Sequence, residues 1–597
     1  MKFFHFSFKV KLLTLILILC CNWSVTSQKI QTHNRNFKDE LGRAVYFRGI
    51  NIAGSSKIPF SHTCKNNETL CSDVSFVGRP FPLNEAVTHF ERLQKWGFNF
   101  VRLIVTWEAL EPKKPKQYDW EYISYLKSII AIANDYGISV LIDPHQDVWS
   151  RFTGGDGAPL WTLEKIGFNV DHFKETNAAL VFQEEENMPP MTWPTNYTKL
   201  ASATMFTLFF AGSDFAPKTK IDGIPVQDYL QQHYIDAFST LATSLKESPN
   251  VIGFELMNEP HPGWIGQDSL SNYMRFPLRN MATPTPSEAM ALGAGYTRSV
   301  ANWEVGLVGL KEIGEITVNK ERKKAWLHDS LDVWHNNKVW ELSKEKEFTI
   351  PNEGYFDSIN GKAVNFTQDY YVPFIYKFTE AIRKETPDAL IFIEKPFQSS
   401  MPIINDLDNL VNATHWYDQI TLIKKQYISW ATLDLSNGGV LVGKKKIDTL
   451  FKAQIKYVKE LSIKLGKHTP ALIGEFGVPF DLSNAASYSK NLFGDWDFRD
   501  QTLALDRSIR ALENNVVSYA LWNYTPDNPN DKGDLWNGED LSIFSVSQKE
   551  VTSDELSNKQ DYLKLIHKLV VYTIEEKTYH NFNFKVIHKL IDGTVDA

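Results

Sequence analysis

Eight apolar runs of strand length recur along this chain, and helical patterns separate most of them. The runs are Val45–Asn51, Phe98–Val105, Ile138–Asp143, Val251–Met257, Ala389–Glu394, Leu410–Trp416, Ala471–Glu475 and Val517–Trp522. Apolar β-formers fill them. Leu83–Trp96 carries apolar residues at 83, 86, 87, 90 and 93, a helical period. Trp120–Tyr136, Val226–Lys246, Gln368–Lys384, Thr449–Leu465 and Asp500–Asn514 read similarly, and Gly97 and Gly137 follow two of these helices as C-caps. Such alternation leaves two main arrangements, a closed barrel and an open doubly wound sheet. No Gly-rich phosphate turn follows the first strand, which speaks against the open sheet. The expectation is an α/β chain folded as a (β/α)8 TIM barrel with long βα-loop insertions.

Two connections are far longer than a barrel requires, from about Asp147 to Pro225 and from about Gly263 to Gln368. Both follow strand carboxyl ends, so both should build walls around the mouth of the barrel. The first contains Met205-Phe-Thr-Leu-Phe-Phe210. That run reads either as a helix packed on the barrel or as part of an apolar pocket lined with Trp161 and Phe215.

The strand Val251–Met257 ends in Asn258-Glu259-Pro260, where the proline stops the ladder for want of an N–H. Ala471-Leu-Ile-Gly-Glu-Phe-Gly477 has the same form, with Glu475 at the strand end. Barrel enzymes keep catalysis at the carboxyl ends of their strands. Two glutamates so placed suggest a carboxylate pair facing across one cavity, the constellation that glycoside hydrolysis needs. Glu259 is the candidate general acid/base and Glu475 the candidate nucleophile. Asn258 is placed to hydrogen-bond a sugar 2-hydroxyl. Arg102 interrupts an apolar strand, and a buried arginine needs a carboxylate, for which Glu475 is the candidate.

Hydrophobic residues at 43% and charged residues at 22% describe a folded chain, and a net charge of −8 lacks the basic footprint of a nucleic-acid binder. Lys2, Lys9 and Lys11 precede the apolar run Leu12–Cys21, and Val25-Thr26-Ser27 offers a cleavage site, so residues 1–27 read as a signal peptide. The expected localisation is the secretory pathway, either extracellular or lysosomal. Cys64 and Cys71 are the pair left after signal removal and are expected to form one small-loop disulfide. Asparagine acceptors for glycans occur at Asn67, Asn196 and Asn365, in expected surface loops or helix starts. Asn412 and Asn523 fall in or beside strands and are expected to be unused. Asp527, Asn530, Asp531 and Asp534 do not have the spacing of a helix-loop-helix calcium site, and no metal or other cofactor is expected.

An ordered set of motifs resembles glycoside hydrolase family 5, and within it the branch of fungal-type glucosylceramidases, steryl-β-glucosidases and endoglycoceramidases. The set is Asp143-Pro-His-Gln-Asp-Val-Trp-Ser-Arg151, Gly154-Gly-Asp-Gly-Ala-Pro-Leu-Trp161, Phe209-Phe-Ala-Gly-Ser-Asp-Phe-Ala-Pro217, Asn258-Glu-Pro260, Gly474-Glu-Phe-Gly477, and Leu521-Trp-Asn-Tyr524 through Trp536-Asn-Gly-Glu-Asp540. It spans roughly residues 40 to 545. The resemblance implies retention of configuration. It also implies that His145 and His415 lie near the bound sugar, that Tyr417 lies against Glu475, and that Trp522 stacks under the glucose ring. Trp536 and Glu539 would bind the far hydroxyls of a terminal sugar. Relatives usually continue into a carboxyl-terminal β-sandwich, whereas residues 546–597 read as an atypical extension beyond a catalytic barrel at 28–545. The expected substrate is a glucosylated lipid, glucosylceramide or steryl β-glucoside, reached by transient contact with a membrane surface. The alternatives are an endoglycoceramidase and a β-glucanase.

Overall fold

The computed structural model describes residues 29–60, 73–181, 188–189, 191–275, 278–306, 309–434, 439–489, 497–530, 533–534, 537–546 and 594–595. The expected barrel is present. Its strands are β1 Arg48–Ile52, β2 Phe100–Thr106, β3 Ser139–His145, β4 Val251–Glu255, β5 Leu390–Ile393, β6 Leu410–Asn412, β7 Leu472–Phe476 and β8 Ser518–Tyr524. All neighbouring pairs run parallel, and β8 pairs with β1. A parallel bridge between Asn412 and Ala471 closes the ring between β6 and β7.

Helices cover the outside. They are α1 Ala86–Lys95, α2 Trp120–Asp135, α3 Leu200–Phe215, α4 Val226–Leu245, α5 Val372–Glu385, α6 Lys444–Leu461 and α7 Arg499–Asn514. Asp119 caps α2, its carboxylate accepting from the backbone N–H of Tyr122 at 2.9 Å. A small antiparallel sheet, Gln31–His33, Asn36–Lys38 and Ala44–Val45, precedes β1. Its Phe37 and Val45, with Phe47, join a buried cluster containing Phe100, Leu141, Leu390 and Leu472, so this sheet packs on the residues that fill the barrel.

The two long connections are folded rather than loose. The first contains α3, which is buried nearly all round and kinks at Ala211. Met205–Phe210 is therefore a helix packed on the barrel, with Phe209 and Phe210 both against Phe374 of α5. The second contains a long hairpin, Arg298–Gly306 with Gly309–Val318. A third insertion, following β6, escaped the sequence reading. It contains the hairpin Ala431–Asp434 with Gly439–Val442.

The structure corrects one glycan acceptor. Asn196 is fully buried, and its amide exchanges hydrogen bonds with the backbone of Leu180 at 2.7 and 2.8 Å. Asn365 is exposed, while Asn412 and Asn523 are buried as expected. Asn67, Cys64 and Cys71 lie outside the described residues, as does the extension apart from Val546 and Thr594–Val595, the latter pairing with Ala44–Val45.

Candidate active site

Arg102 stands in the middle of β2, fully buried inside the barrel. An apolar strand accepts an arginine there because carboxylates surround it. Its Nη1 donates to Glu475 at 2.7 Å and its Nε to Glu255 at 2.5 Å. Asp143 lies 3.1 Å from Nη1 and Glu394 3.6 Å from Nη2. Nη2 also donates to Asn258 Oδ1 at 2.9 Å. The expected pairing with Glu475 is therefore present, together with three carboxylates that the sequence reading passed over.

Glu475 lies on β7, and both of its oxygens are held. Arg102 takes one, and the Tyr417 hydroxyl donates to the other at 2.8 Å. Donors aimed at both oxygens fix the direction of the carboxylate. Glu259 lies just past β4 with φ at 41°, in the left-handed region that residues with side chains seldom adopt. Its backbone N–H donates to Glu394 at 3.2 Å, and Gln146 Nε2 donates to the carbonyls of Asn258 and Glu259. These contacts hold the turn that presents the carboxyl, whose side chain is 32% exposed to the cavity. Burial pushes its pKa above the usual carboxylate value, and the neighbouring Glu475 and Glu394 add to this against the opposing pull of His415.

His415 bridges the two glutamates. Its Nδ1 lies 3.1 Å from Glu259 Oε1 and 3.4 Å from Glu475 Oε2, and its Nε2 lies 3.2 Å from Glu394. Burial opposes charge on this ring, but Glu394 and Glu475 outweigh it and raise its pKa well above the ordinary histidine value. One ligand atom each from Glu259, His415 and Glu475 lie within 4.8 Å of one another. The strand β6 ends at Asn412, so His415 and Tyr417 stand beyond it, yet both still line the cavity.

On the opposite side, His145 at the end of β3 stacks on Trp522 at 5.6 Å between ring centroids. Its Nδ1 is 2.7 Å from Asp143 and its Nε2 3.4 Å from Asp147. Burial and Lys57 oppose a charge there, but the two aspartates prevail and raise its pKa to about 9. Lys57, unrecognised in the sequence, is buried, pairs with Asp147, and lies over the Trp522 ring at 4.6 Å. Its ammonium also lies 3.6 Å from Asp156, so it occupies the His145, Asp147 and Asp156 group whose spacing would suit a cation. Glu539 lines the same cavity and accepts from Trp193 Nε1 at 3.4 Å, while burial raises its pKa to about 7. Trp536 lies outside the described residues.

The cavity measures about 500 Å³. Glu259, Glu475, His145, Asn258, His415, Tyr417, Trp522 and Glu539 all border it. Its apolar side is built by Met191, Trp193, Tyr197, Phe397, Ile420, Leu422, Ile423 and Leu433. Trp161 and Phe215 are not among the lining residues. Trp161 packs against Trp107 and donates its indole N–H to the Glu111 carbonyl, and Phe215 packs against Phe356. The apolar wall instead comes mainly from the insertion after β6 and from residues 191–197.

Two strand-end carboxyls this close leave no room for a water between nucleophile and sugar, a spacing that goes with double displacement rather than single inversion, for which the carboxyls stand about 6.5–9.5 Å apart. The fold and site together define a retaining glycoside hydrolase. Residues 64–275 match the cellulase model of glycosyl hydrolase family 5. The chain is similar to a glucosylceramidase of Rhizopus delemar, with 39% identity over 87% of this chain and 79% of that protein. It is also similar to the ergosteryl-β-glucosidase of Saccharomyces cerevisiae, with 35% identity over 87% of this chain and 76% of that one. The solved structure of Cryptococcus neoformans sterylglucosidase 1 superposes with a TM-score of 0.82 at 32% identity, covering 88% of this chain and 80% of that chain. The chain belongs to glycosyl hydrolase family 5, in the group that holds these glucosylceramidases and steryl-β-glucosidases.

Proposed function

We propose that the protein is a retaining β-glucosidase that releases glucose from a glucosylated lipid, glucosylceramide or steryl β-glucoside. The observation that carries this reading is a single cavity bordered both by the carboxylate pair and by a large set of apolar side chains. Glu475 attacks the anomeric carbon while Glu259, whose burial favours its protonated form, delivers its proton to the leaving oxygen. A glucosyl ester on Glu475 results, and the lipid alcohol departs. Glu259, now a carboxylate, removes a proton from water, which attacks the same carbon and frees Glu475. Asn258 is aimed at the 2-hydroxyl, Trp522 at the face of the ring, and Glu539 at the far hydroxyls. Lipid substrates sit in bilayers, so the enzyme meets a membrane surface transiently.

The test is to incubate the secreted protein with glucosylceramide, a steryl glucoside, a ganglioside and a soluble β-glucan. Free glucose from the first two is expected. An intact oligosaccharide from the ganglioside would instead mark an endoglycoceramidase, and glucan cleavage a β-glucanase. Replacing Ile423 or Leu433 by Ala should raise KM for the glucolipid much more than for a small aryl glucoside, because each well-buried large apolar side chain contributes roughly 1.5–3 kcal/mol. Equal losses on both substrates would remove the apolar wall from the account.

The protein is proposed to pass through the secretory pathway, to an extracellular or lysosomal site, with Cys64 bonded to Cys71 and Asn365 open to glycosylation. The support is the charged and apolar amino terminus, the single remaining cysteine pair and the exposure of Asn365. Amino-terminal sequencing should find Gln28 first, and peptide mass spectrometry without reductant should find the two cysteines joined. A mature chain that retains Met1, or free thiols at both positions, would contradict this.

A further inference from the structure

We propose that the hairpin after β6 is a membrane-docking element that seats the cavity mouth on an anionic lipid surface. The proposal rests on the glucolipid reading above. It starts from exposure. Trp430 is 63% exposed, Val440 70%, Val442 56% and Ile428 37%, a concentration of large apolar side chains on one short segment. Such a patch is costly to hold in water and marks a surface that something covers.

The register of the hairpin links this patch to the cavity. Leu433 stands opposite Val440 and Ala431 opposite Val442, which places all four on one face of the ribbon. Leu433 belongs to the cavity lining, and its cross-strand partner Val440 is open to solvent. The apolar wall that faces the substrate therefore runs outward along the ribbon to the molecular surface. A lipid moving from a bilayer into the cavity along this face would stay in apolar contact throughout.

Charge decides which occupant fits. Lys444, Lys445 and Lys446 follow the hairpin directly, all exposed, and they make no ion pair among the described residues. The whole chain carries a net charge of −8, so this basic run is a local reversal. Exposed Val440 and Val442 on the hairpin, Ile428 and Trp430 just before it and three lysines just after it are together complementary to a bilayer with anionic headgroups: an indole sits at the headgroup level and ammonium groups meet the phosphates. A second copy of this acidic chain would offer the lysines a partner too, and the oligomeric state of the wild type and the variant separates that occupant from a bilayer.

The experiment compares the full secreted chain with W430S/V440S and with K444E/K445E/K446E. None of these residues lines the cavity. Co-sedimentation uses vesicles of phosphatidylcholine alone and of phosphatidylcholine with phosphatidylserine. The wild type should bind the mixed vesicles better, and added salt should weaken binding. Each variant should lose on the order of tenfold or more in vesicle affinity. Both should lose activity on glucolipid in vesicles while keeping it on a soluble aryl glucoside and on glucolipid in detergent micelles. Wild-type vesicle binding by W430S/V440S would overturn the docking role. So would a wild-type dimer in sedimentation that the same variant converts to monomer, since the patch would then be a self-association surface. A wild type that binds vesicles yet hydrolyses no glucolipid in any form would instead overturn the substrate reading.

Discussion

Glu259 and Glu475 are the same residue type at two strand ends, and their surroundings divide the work. Glu475 receives donors on both oxygens, whereas Glu259 faces the cavity with its pKa raised by burial. Glu475→Gln should reduce turnover to background with the fold intact by circular dichroism. Glu259→Ala should lose ~10²–10⁴-fold on glucolipid and far less on an aryl glucoside whose leaving group needs no proton. Activity requires protonated Glu259 in the first step, so kcat/KM should fall as pH rises through its elevated pKa. His415 pulls that pKa down by hydrogen bond and charge. His415→Gln keeps a donor without the charge, so the alkaline limb of the pH profile should move to higher pH while kcat drops. A limb that stays in place would separate His415 from the acid. The sequence exposed both glutamates because each interrupts an apolar strand at its carboxyl end. Glu255 and Glu394 also interrupt or end apolar runs, but the sequence did not show that Arg102 gathers them, and Lys57 lies outside every run and gave no signal.

At the scale of the element, α3 is the most buried helix of the first insertion, and Lys199 stands just before its first turn. That ammonium is fully buried at the positive end of a helix, donating only to neutral acceptors, Asn177 Oδ1 and the carbonyl of Ala282, among the described residues. Burial lowers its pKa to about 7. The unfolded chain holds that proton up to about pH 10.4, so between the two values unfolding takes up a proton and stability rises with pH. Below about pH 7 the lysine is charged in both states, and the full cost of burying it, roughly 1.4 kcal/mol per unit of pKa lowering, is present. Lys199→Met removes that cost and leaves two acceptors unpaired, at about 1–3 kcal/mol. Its melting temperature should exceed the wild type's at pH 5, and that advantage should shrink steadily as pH rises towards 9. A variant less stable at both would show that the ammonium is compensated. Periodicity could identify Met205–Phe210 as apolar but could not separate core from pocket, so the placement of Trp161 and Phe215 is settled only by the structure, which packs both away from the cavity. The β6 insertion went unnoticed because its strands are only four residues each and several of their apolar residues stay open to solvent rather than joining a core.

The molecule as a whole is a barrel that delegates chemistry and recognition to different parts. Eight strand runs in sequence sufficed for the architecture, since alternation with helices leaves few alternatives, and the structure moved most boundaries by only a few residues. Strand ends supply the acid, the nucleophile and the charges that hold them, while the insertions supply the apolar wall. The division is physical: carboxylate spacing must be held to fractions of an ångström by the sheet, whereas a lipid needs only area. The most direct test of this account is to trap the intermediate. The protein would be incubated with an activated 2-deoxy-2-fluoro-β-glucoside, whose fluorine slows release of the sugar from the enzyme more than its arrival. Digestion and peptide mass spectrometry should then place one fluoroglucosyl group on Glu475. A label on any other residue, or turnover that gives α-glucose as the first product without any adduct, would contradict it.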